Sequence, residues 1–221
     1  MNTRSRDKIC AIIPFFNEKD TIQEIIDRTL PYVDLIICVN DGSTDGSENQ
    51  VHVSDKVILL SSAVNMGKGY AINMGFIHCF HLNCDIAVTL DADLQHDPRY
   101  IPSFISMMDQ NDIVIGNRLS DISNMPLQRI MSNKITSFLL SLKTHTKILD
   151  SQCGFRAYRT EKLRKILPVN RGFEAESEII IHASRNNCRI GFVNIPTIYG
   201  SENSKMRPWE AIAGFIRILF L

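Results

Sequence analysis

Asp91-Ala92-Asp93-Leu94-Gln95 is the phrase in this chain best suited to chemistry. Two carboxylates one residue apart, with an amide oxygen two residues on, offer hard oxygen donors to Mg2+ or Mn2+. Such a cation can bridge a diphosphate and offset charge that builds on a leaving group. An apolar run at 86–90 places the phrase at a strand end. Asp91, Asp93 and Gln95 are therefore candidate metal ligands, and the two aspartates candidate catalytic groups. Taken alone, the pair reads equally as an acidic turn, because Asp favours turns.

Other polar clusters also follow apolar runs. Pro14, Phe16, Asn17 and Glu18 follow the run at 8–13, Asp41-Gly42-Ser43 the run at 35–39, and Gly116-Asn117-Arg118 the run at 112–115. The stretch from Asp41 starts like a calcium loop, but its twelfth position is His52 where Glu is needed, which rejects an EF-hand. A turn that brings Asp41 to a nucleoside is the functional reading, and a plain capped turn the alternative. Asn65-Met66-Gly67-Lys68-Gly69 precedes a helical run and offers close backbone approach plus a cation. It lacks the Walker A spacing. Arg118, Arg129 and Arg156 flank polar stretches, and their planar forks suit phosphate oxygens, although a solvated surface is the ordinary place for Arg. Ser204-Lys205 adds a late cation.

The elements that must position these groups alternate. Strand-like runs at 8–13, 35–39, 56–60, 85–90 and 112–115 are interleaved with helical runs at 19–30, 69–80 and 99–108. That alternation predicts an α/β fold with a mostly parallel central sheet and helices on both faces. In such a sheet, ligands bind beyond the carboxyl ends of the strands, which is where the polar clusters fall. The second half is less regular: a long helix at 127–142, a loop or short strand at 150–158, a helix at 174–184 and a strand at 189–195. No linker or repeat divides the chain, so residues 1–221 read as one domain, with a nucleotide-binding half at about 8–118 and an acceptor-side half at about 119–221.

Composition excludes several classes. With 24 Lys plus Arg against 24 Asp plus Glu, no large basic face for nucleic acid is expected. The six cysteines form no Cys-x-x-Cys pair, which argues against a zinc or redox motif and for reduced thiols in a cytosolic chain. No run reaches the ~20 apolar residues a membrane span needs. The apolar stretch 211–221, with Ile212, Phe215, Ile216 and Leu219 at helical spacing, is expected to dock on the core; contact with a membrane surface is the second reading.

At these residues the sequence resembles family 2 glycosyltransferases of the GT-A fold, a Rossmann-like nucleotide-diphospho-sugar transferase architecture. The likeness is greatest to dolichol-phosphate mannose synthases and related polyprenyl-phosphate glycosyltransferases. The phrases that carry it are IPFFNE at 13–18, VNDGSTDGS at 39–47, NMGKGYAINMG at 65–75, LDADLQHDP at 90–98, GNR at 116–118, DSQCGFRAYR at 150–159, FEAESE at 173–178 and TIYGSENSK at 197–205. The resemblance implies an inverting enzyme. It implies nucleotide contacts from Pro14, Phe16, Glu18, Asp41, Lys68 and Ala92, and a metal and diphosphate site at Asp91, Asp93 and Gln95. It implies that Arg118 and Arg129 face an acceptor phosphate and that Glu176 lines the sugar side. Asp150, Arg156, Glu178, Ser204 and Lys205 fall on the acceptor side or a closing loop. Three departures stand out: Asn40 where relatives often have Asp, no Arg within YGSEN, and no transmembrane helices.

The resemblance implies GDP-mannose or a UDP-sugar as donor, with in-line attack on the sugar's anomeric carbon. A phosphate monoester acceptor, with a second pKa near ~6, is already ionised at neutral pH and needs positioning cations. Arg118 and Arg129 favour a phosphate acceptor; the resemblance implies that it is a polyprenyl or dolichyl phosphate, with the chain peripheral on the cytoplasmic face of a membrane or served by a membrane-bound partner subunit. A saccharide or protein hydroxyl would instead need a general base, for which Glu176 and Asp150 are candidates. A non-catalytic nucleotide-sugar module and a nucleotidyltransferase are the other readings. The intact acidic phrase opposes the first, and the lack of a glycine-rich basic N-terminal loop opposes the second.

Overall fold

A computed structural model describes residues 6–123, 125–196, 198 and 208–219, with 208–213 as backbone only. Seven strands form one sheet: β1 Ile9–Phe15, β2 Leu35–Asn40, β3 Val57–Ser61, β4 Ile86–Thr89, β5 Ile113–Asn117, β6 Arg156–Arg159 and β7 Ile190–Asn194. Their spatial order is β3-β2-β1-β4-β6-β5-β7. All neighbours are parallel except β6, which runs antiparallel to both β4 and β5. Every residue of β1 is buried. Successive strand side chains point to opposite faces, so both faces of the sheet are covered.

The helices are α1 Ile22–Thr29, α2 Lys68–His81, α3 Ile101–Met107, α4 Leu127–Thr144, α5 Thr160–Leu163, α6 Ala175–Arg185 and α7 Pro208–Leu219. In α1, Ile22, Ile25, Ile26 and Thr29 are buried, the i, i+3, i+4, i+7 stripe of a core-facing helix. The helix starts three residues later than the periodicity predicts, because Asn17 takes a left-handed φ of 56° and Glu18 O receives the amides of Thr21 and Ile22. α5, too short for a periodic signal, has no counterpart in the sequence expectation.

Pro14 does not end the first strand as its type suggests. Ile12 O accepts from Leu90 N, so Ile12 faces β4, and Pro14 two residues on faces the same side. Pairing with β4 stops at Ile12 opposite Thr89, so the missing proline N–H removes no ladder bond.

Nearly all buried apolar side chains form one cluster that runs from Ile9 to Ile218, so the two halves share a core. β6 comes from the second half of the chain yet lies between β4 and β5 of the first. The nucleotide-binding half at 8–118 is therefore not a contiguous unit of the sheet. α7 docks on the core through buried Ile218 with Phe215 and Leu219 packed against the cluster, while Ile216 stays exposed. Cys10, Cys79 and Cys84 bring their sulfurs within 4.8 Å of one another, a convergence of separate segments that sequence spacing does not reveal. Among the described residues no helix is long and apolar enough to cross a membrane.

α2 lies directly on β1. A Cβ added at Gly75 would stand 2.3 Å from Ile12 Cγ2, on a side chain that is fully buried in the central strand. Helix propensity favours Ala over Gly by about 1 kcal/mol, whereas overpacking a tight core costs about 1–3 kcal/mol. Packing should win. Gly75→Ala is expected to lower the urea midpoint at unchanged m-value; a raised midpoint would refute the contact.

Candidate active site

The turns after β1 and β2 are stitched together at the carboxyl rim. Asn17 N donates to Ser43 Oγ at 2.9 Å, Thr44 N to Asn17 Oδ1 at 2.8 Å, and Glu18 N to Ser47 Oγ at 2.8 Å. Ser47 in turn bonds the Asp45 carboxylate. Buried Asn40 accepts from Ser43 N at 2.9 Å and donates to Glu48 Oε2 at 2.6 Å. That last bond suits Asn at this position: a carboxylate there would oppose Glu48. Phe16 and Glu18 are half-buried on this rim, and Pro14 lies buried beneath it.

Asp41 is turned inward. Its two oxygens accept the amides of Met66 at 2.8 Å and Gly67 at 2.9 Å. It therefore holds the entry of α2, and both of its carboxylate oxygens are engaged there. Gly67 has a φ of 102°, and a Cβ there would meet Arg171 O at 2.4 Å. The loop can thus press against the segment before α6.

This packing aims Lys68, the first residue of α2, at two acids. Its Nζ lies 2.6 Å from Asp91 Oδ1 and 3.3 Å from Glu176 Oε1, the second contact without hydrogen-bond geometry. Burial works against both charges of the pair. Lys68 is nonetheless raised above its ordinary value by Asp91 and Glu176. Asp91 is pushed down to about 2 by Lys68, with His96 and Arg118 assisting. Asp91 is thus ionised at any physiological pH, and its side chain keeps 26% exposure.

The rest of the acidic phrase folds tightly. Asp93 Oδ1 accepts from Gln95 N at 3.0 Å, and Leu94 between them has a φ of 59°, a strained value for a branched residue. Ala92 is buried. Gly154 is a site residue that sequence reasoning passed over: a Cβ there would stand 2.5 Å from Asp91 Oδ2. Its carbonyl is held by Thr89 Oγ1 at 2.8 Å. His96, also passed over, is buried with Nδ1 unpartnered and Nε2 at 3.8 Å from Cys153 Sγ. The chemistry of the set fits a hard cation: ionised, partly exposed Asp91 with Asp93 and the Gln95 amide supply oxygen donors only.

Arg118, at the end of β5, meets Asp150 in a forked pair. Nε donates to Oδ2 at 2.9 Å and Nη2 to Oδ1 at 3.1 Å, and the backbone N adds a bond at 3.1 Å. Asn133 Nδ2 of α4 and Gln152 N complete the carboxylate's partners. Asp150 is fully buried and its pKa is lowered; burial alone would raise it, but Arg118 outweighs that. It is a positioning group for Arg118, and the general-base role considered for it is corrected: a saturated, solvent-free carboxylate cannot meet an acceptor hydroxyl. Arg129 is exposed on the first turn of α4, one turn before Asn133 and so on the same side of the helix.

Two acceptor-side expectations need correction. Arg156 is fully buried and gives its guanidinium to the carbonyls of Cys153, Glu176 and Ser151 at 2.7, 2.6 and 2.8 Å. Glu178 is 1% exposed and accepts the amides of Val169 and Asn170 and the Asn170 side chain. Both brace loops from inside, and neither faces an acceptor. Ser204 and Lys205 lie outside the described residues.

Known proteins resemble this chain over nearly its whole length. The profile of Glycosyl transferase family 2 matches residues 10–167. An uncharacterized protein of Methanocaldococcus jannaschii is 31% identical over 229 residues, covering 100% of this chain and 93% of the relative. A UDP-N-acetylglucosamine–dolichyl-phosphate N-acetylglucosaminyltransferase of Methanococcus voltae is 33% identical over 231 residues, covering 94% and 92%. The crystal structure of glucosyl-3-phosphoglycerate synthase from Mycobacterium tuberculosis with Mn2+, UDP-glucose and phosphoglyceric acid superposes with a TM-score of 0.74 at 20% identity, over 98% of this chain and 81% of that one. The fold is GT-A.

Two outcomes test the assignments made from burial. Arg156→Met strips three buried carbonyls of their donor and should destabilise by about 3 kcal/mol or more, while the folded fraction still binds nucleotide-sugar; unchanged stability with lost acceptor use would reverse the correction. His96 falls to about 4 from an ordinary 6.5, mainly through burial. The unfolded chain therefore takes up a proton near 6.5 that the fold refuses until about 4. Stability should fall by up to roughly 3 kcal/mol as pH drops through that window. His96→Gln should flatten the profile; an identical profile would show that the imidazole is not the titrating group.

Proposed function

The chain belongs to glycosyl transferase family 2, and on that premise we propose that it is an inverting transferase of sugar from a nucleotide-diphosphate donor to a polyprenyl or dolichyl phosphate. The observation that carries the reading is the anchored guanidinium of Arg118. Asp150 holds it by a fork while Nη1 has no hydrogen-bond partner among the described residues. A permanently charged donor fixed in this way suits phosphate oxygens. Arg129, on the same side of α4, supplies a second cation for the acceptor. The relative that is named for dolichyl phosphate and UDP-N-acetylglucosamine supports both the acceptor class and a uridine donor, with GDP-mannose the other donor that the sequence resemblance implies.

In this proposal Pro14, Phe16, Glu18 and Ala92 border the nucleoside, and Asp41 sets the loop that encloses it. Asp91, Asp93 and Gln95 would hold Mg2+ or Mn2+. When bound, the ion supplies counter-charge to the diphosphate as it departs. Lys68 keeps Asp91 ionised and oriented, and adds a positive charge at the same rim. Arg118 and Arg129 orient the acceptor phosphate. One of its oxygens forms the new bond to the anomeric carbon, and the old bond to the diphosphate breaks with its electron pair. No proton needs to be removed from an ionised phosphate. The hydroxyl-acceptor reading is weaker because Glu176, its remaining base, is nearly buried and engaged with Lys68.

Arg118→Ala with Arg129→Ala is expected to cut transfer to a short polyprenyl phosphate by at least about 100-fold while thermal-shift binding of the donor persists, in line with the loss of charged contacts made to the reacting group. Transfer at the wild-type rate would overturn the reading. Asp91→Asn, or chelation with EDTA, is expected to remove activity with any acceptor, and Mn2+ should restore only the chelated wild type.

A further inference from the structure

Helix α4 presents an apolar stripe that no described residue covers. Leu127, Met131, Ile135, Phe138 and Leu142 are between 55% and 78% exposed. At 100° per residue they fall within an arc of about 80°, and they run about 22 Å along the helix. The opposite face, with Ile130, Asn133, Ser137, Leu140 and Thr144, is buried. Five large apolar side chains aligned in water are a surface that wants a partner.

The charge around the stripe selects that partner. Between Asp121 and Asp150 the chain has no carboxylate; Arg129 lies on the side of α4 that faces the site, and Lys134, Lys143 and Lys147 remain for the stripe's surroundings. Arg129 included, four cations and no acid give this segment a charge of +4 inside a chain of net charge zero. A second copy would set two such segments against each other. An apolar stripe flanked by cations is the pattern of a helix that lies in a bilayer interface, its apolar edge among the acyl chains and its cations at anionic headgroups.

The inner face of α4 ties the stripe to the site. Asn133 bonds Asp150 and Ser137 bonds Ser151, directly behind Arg118. One helix diameter, about 10 Å, thus separates the stripe from the groups that anchor this arginine. We propose that the exposed edge of α4 docks the protein on the surface of an anionic membrane, which delivers the acceptor headgroup to Arg118. The delivery rests on the lipid-phosphate reading; the docking rests on α4 alone.

The test uses the full chain and vesicles of phosphatidylcholine with or without phosphatidylglycerol. Wild type should sediment with the anionic vesicles and much less with neutral ones, and high salt should weaken the binding. Met131→Glu, Ile135→Glu and Phe138→Glu together should lower the bound fraction at least about tenfold, since binding scales with the apolar area inserted. These positions are exposed, so the urea midpoint should stay near wild type. Lys134→Glu with Lys143→Glu is a second variant that should lose anionic binding while the stripe is intact. The stripe variant should transfer sugar to a water-soluble short prenyl phosphate like wild type, yet lose about tenfold with a long polyprenyl phosphate embedded in vesicles. Undiminished vesicle binding by the stripe variant would overturn the proposal. So would a wild-type dimer in sedimentation velocity that the stripe variant abolishes. Vesicle binding without transfer to any lipid phosphate would uphold the docking and refute the acceptor assignment instead.

Discussion

The site depends on one ammonium group. Lys68 sits at the start of a helix and reaches acids from two other places in the chain, Asp91 beyond β4 and Glu176 at the start of α6. Burial disfavours the charges of Lys68 and Asp91, and each offsets that cost for the other. Together with Glu176 they fix three elements at one point. The supports behind Lys68 follow from the same demand: Asp41 grips the amides before it, and Gly67 lets the loop close on the Arg171 carbonyl. Gly154, lacking a side chain, lets Asp91 lie flat against the neighbouring backbone.

A second pair, Arg118 with Asp150, obeys different physics although its residue types are similar. Asp150 is entirely removed from water and saturated with donors, so it can only hold. Asp91 keeps a quarter of its side chain open, so it can hold and also be reached. Exposure, more than residue type, separates scaffold from chemistry here. The same distinction sorts Arg156, spent on three carbonyls, from Arg118.

Much of this was legible in the chain itself. The strands read clearly because continuous apolar runs end abruptly in Asp, Asn or Gly, and those ends do meet at one rim. The acidic phrase after β4 and the lysine that opens α2 could be placed for the same reason. Other features carry no local signal. A charged residue in sequence reads as exposed, so the burial of Arg156, Glu178 and Asp150 becomes visible only with their partners. Pro14 reads as a strand end, and only the early stop of β4 shows why it is tolerated. The short β6 has strand length but nothing that announces its reversed direction. The three converging cysteines lie on β1, on α2 and after it, too far apart in sequence to suggest a cluster.

The reversed strand also matters before the protein is complete. β1 to β4 leave the ribosome early, but the free edge of β4 finds its neighbour only when residues 156–159 emerge. β5, made in between, pairs only with β6 and β7 and has no seat until then. At roughly 5–20 residues per second, the nascent chain spends seconds with an open, apolar edge. An unpaired edge recruits strands from other chains. A chaperone bound during that interval would protect the molecule at its most vulnerable stage, and a translational pause placed before β6 would lengthen its exposure.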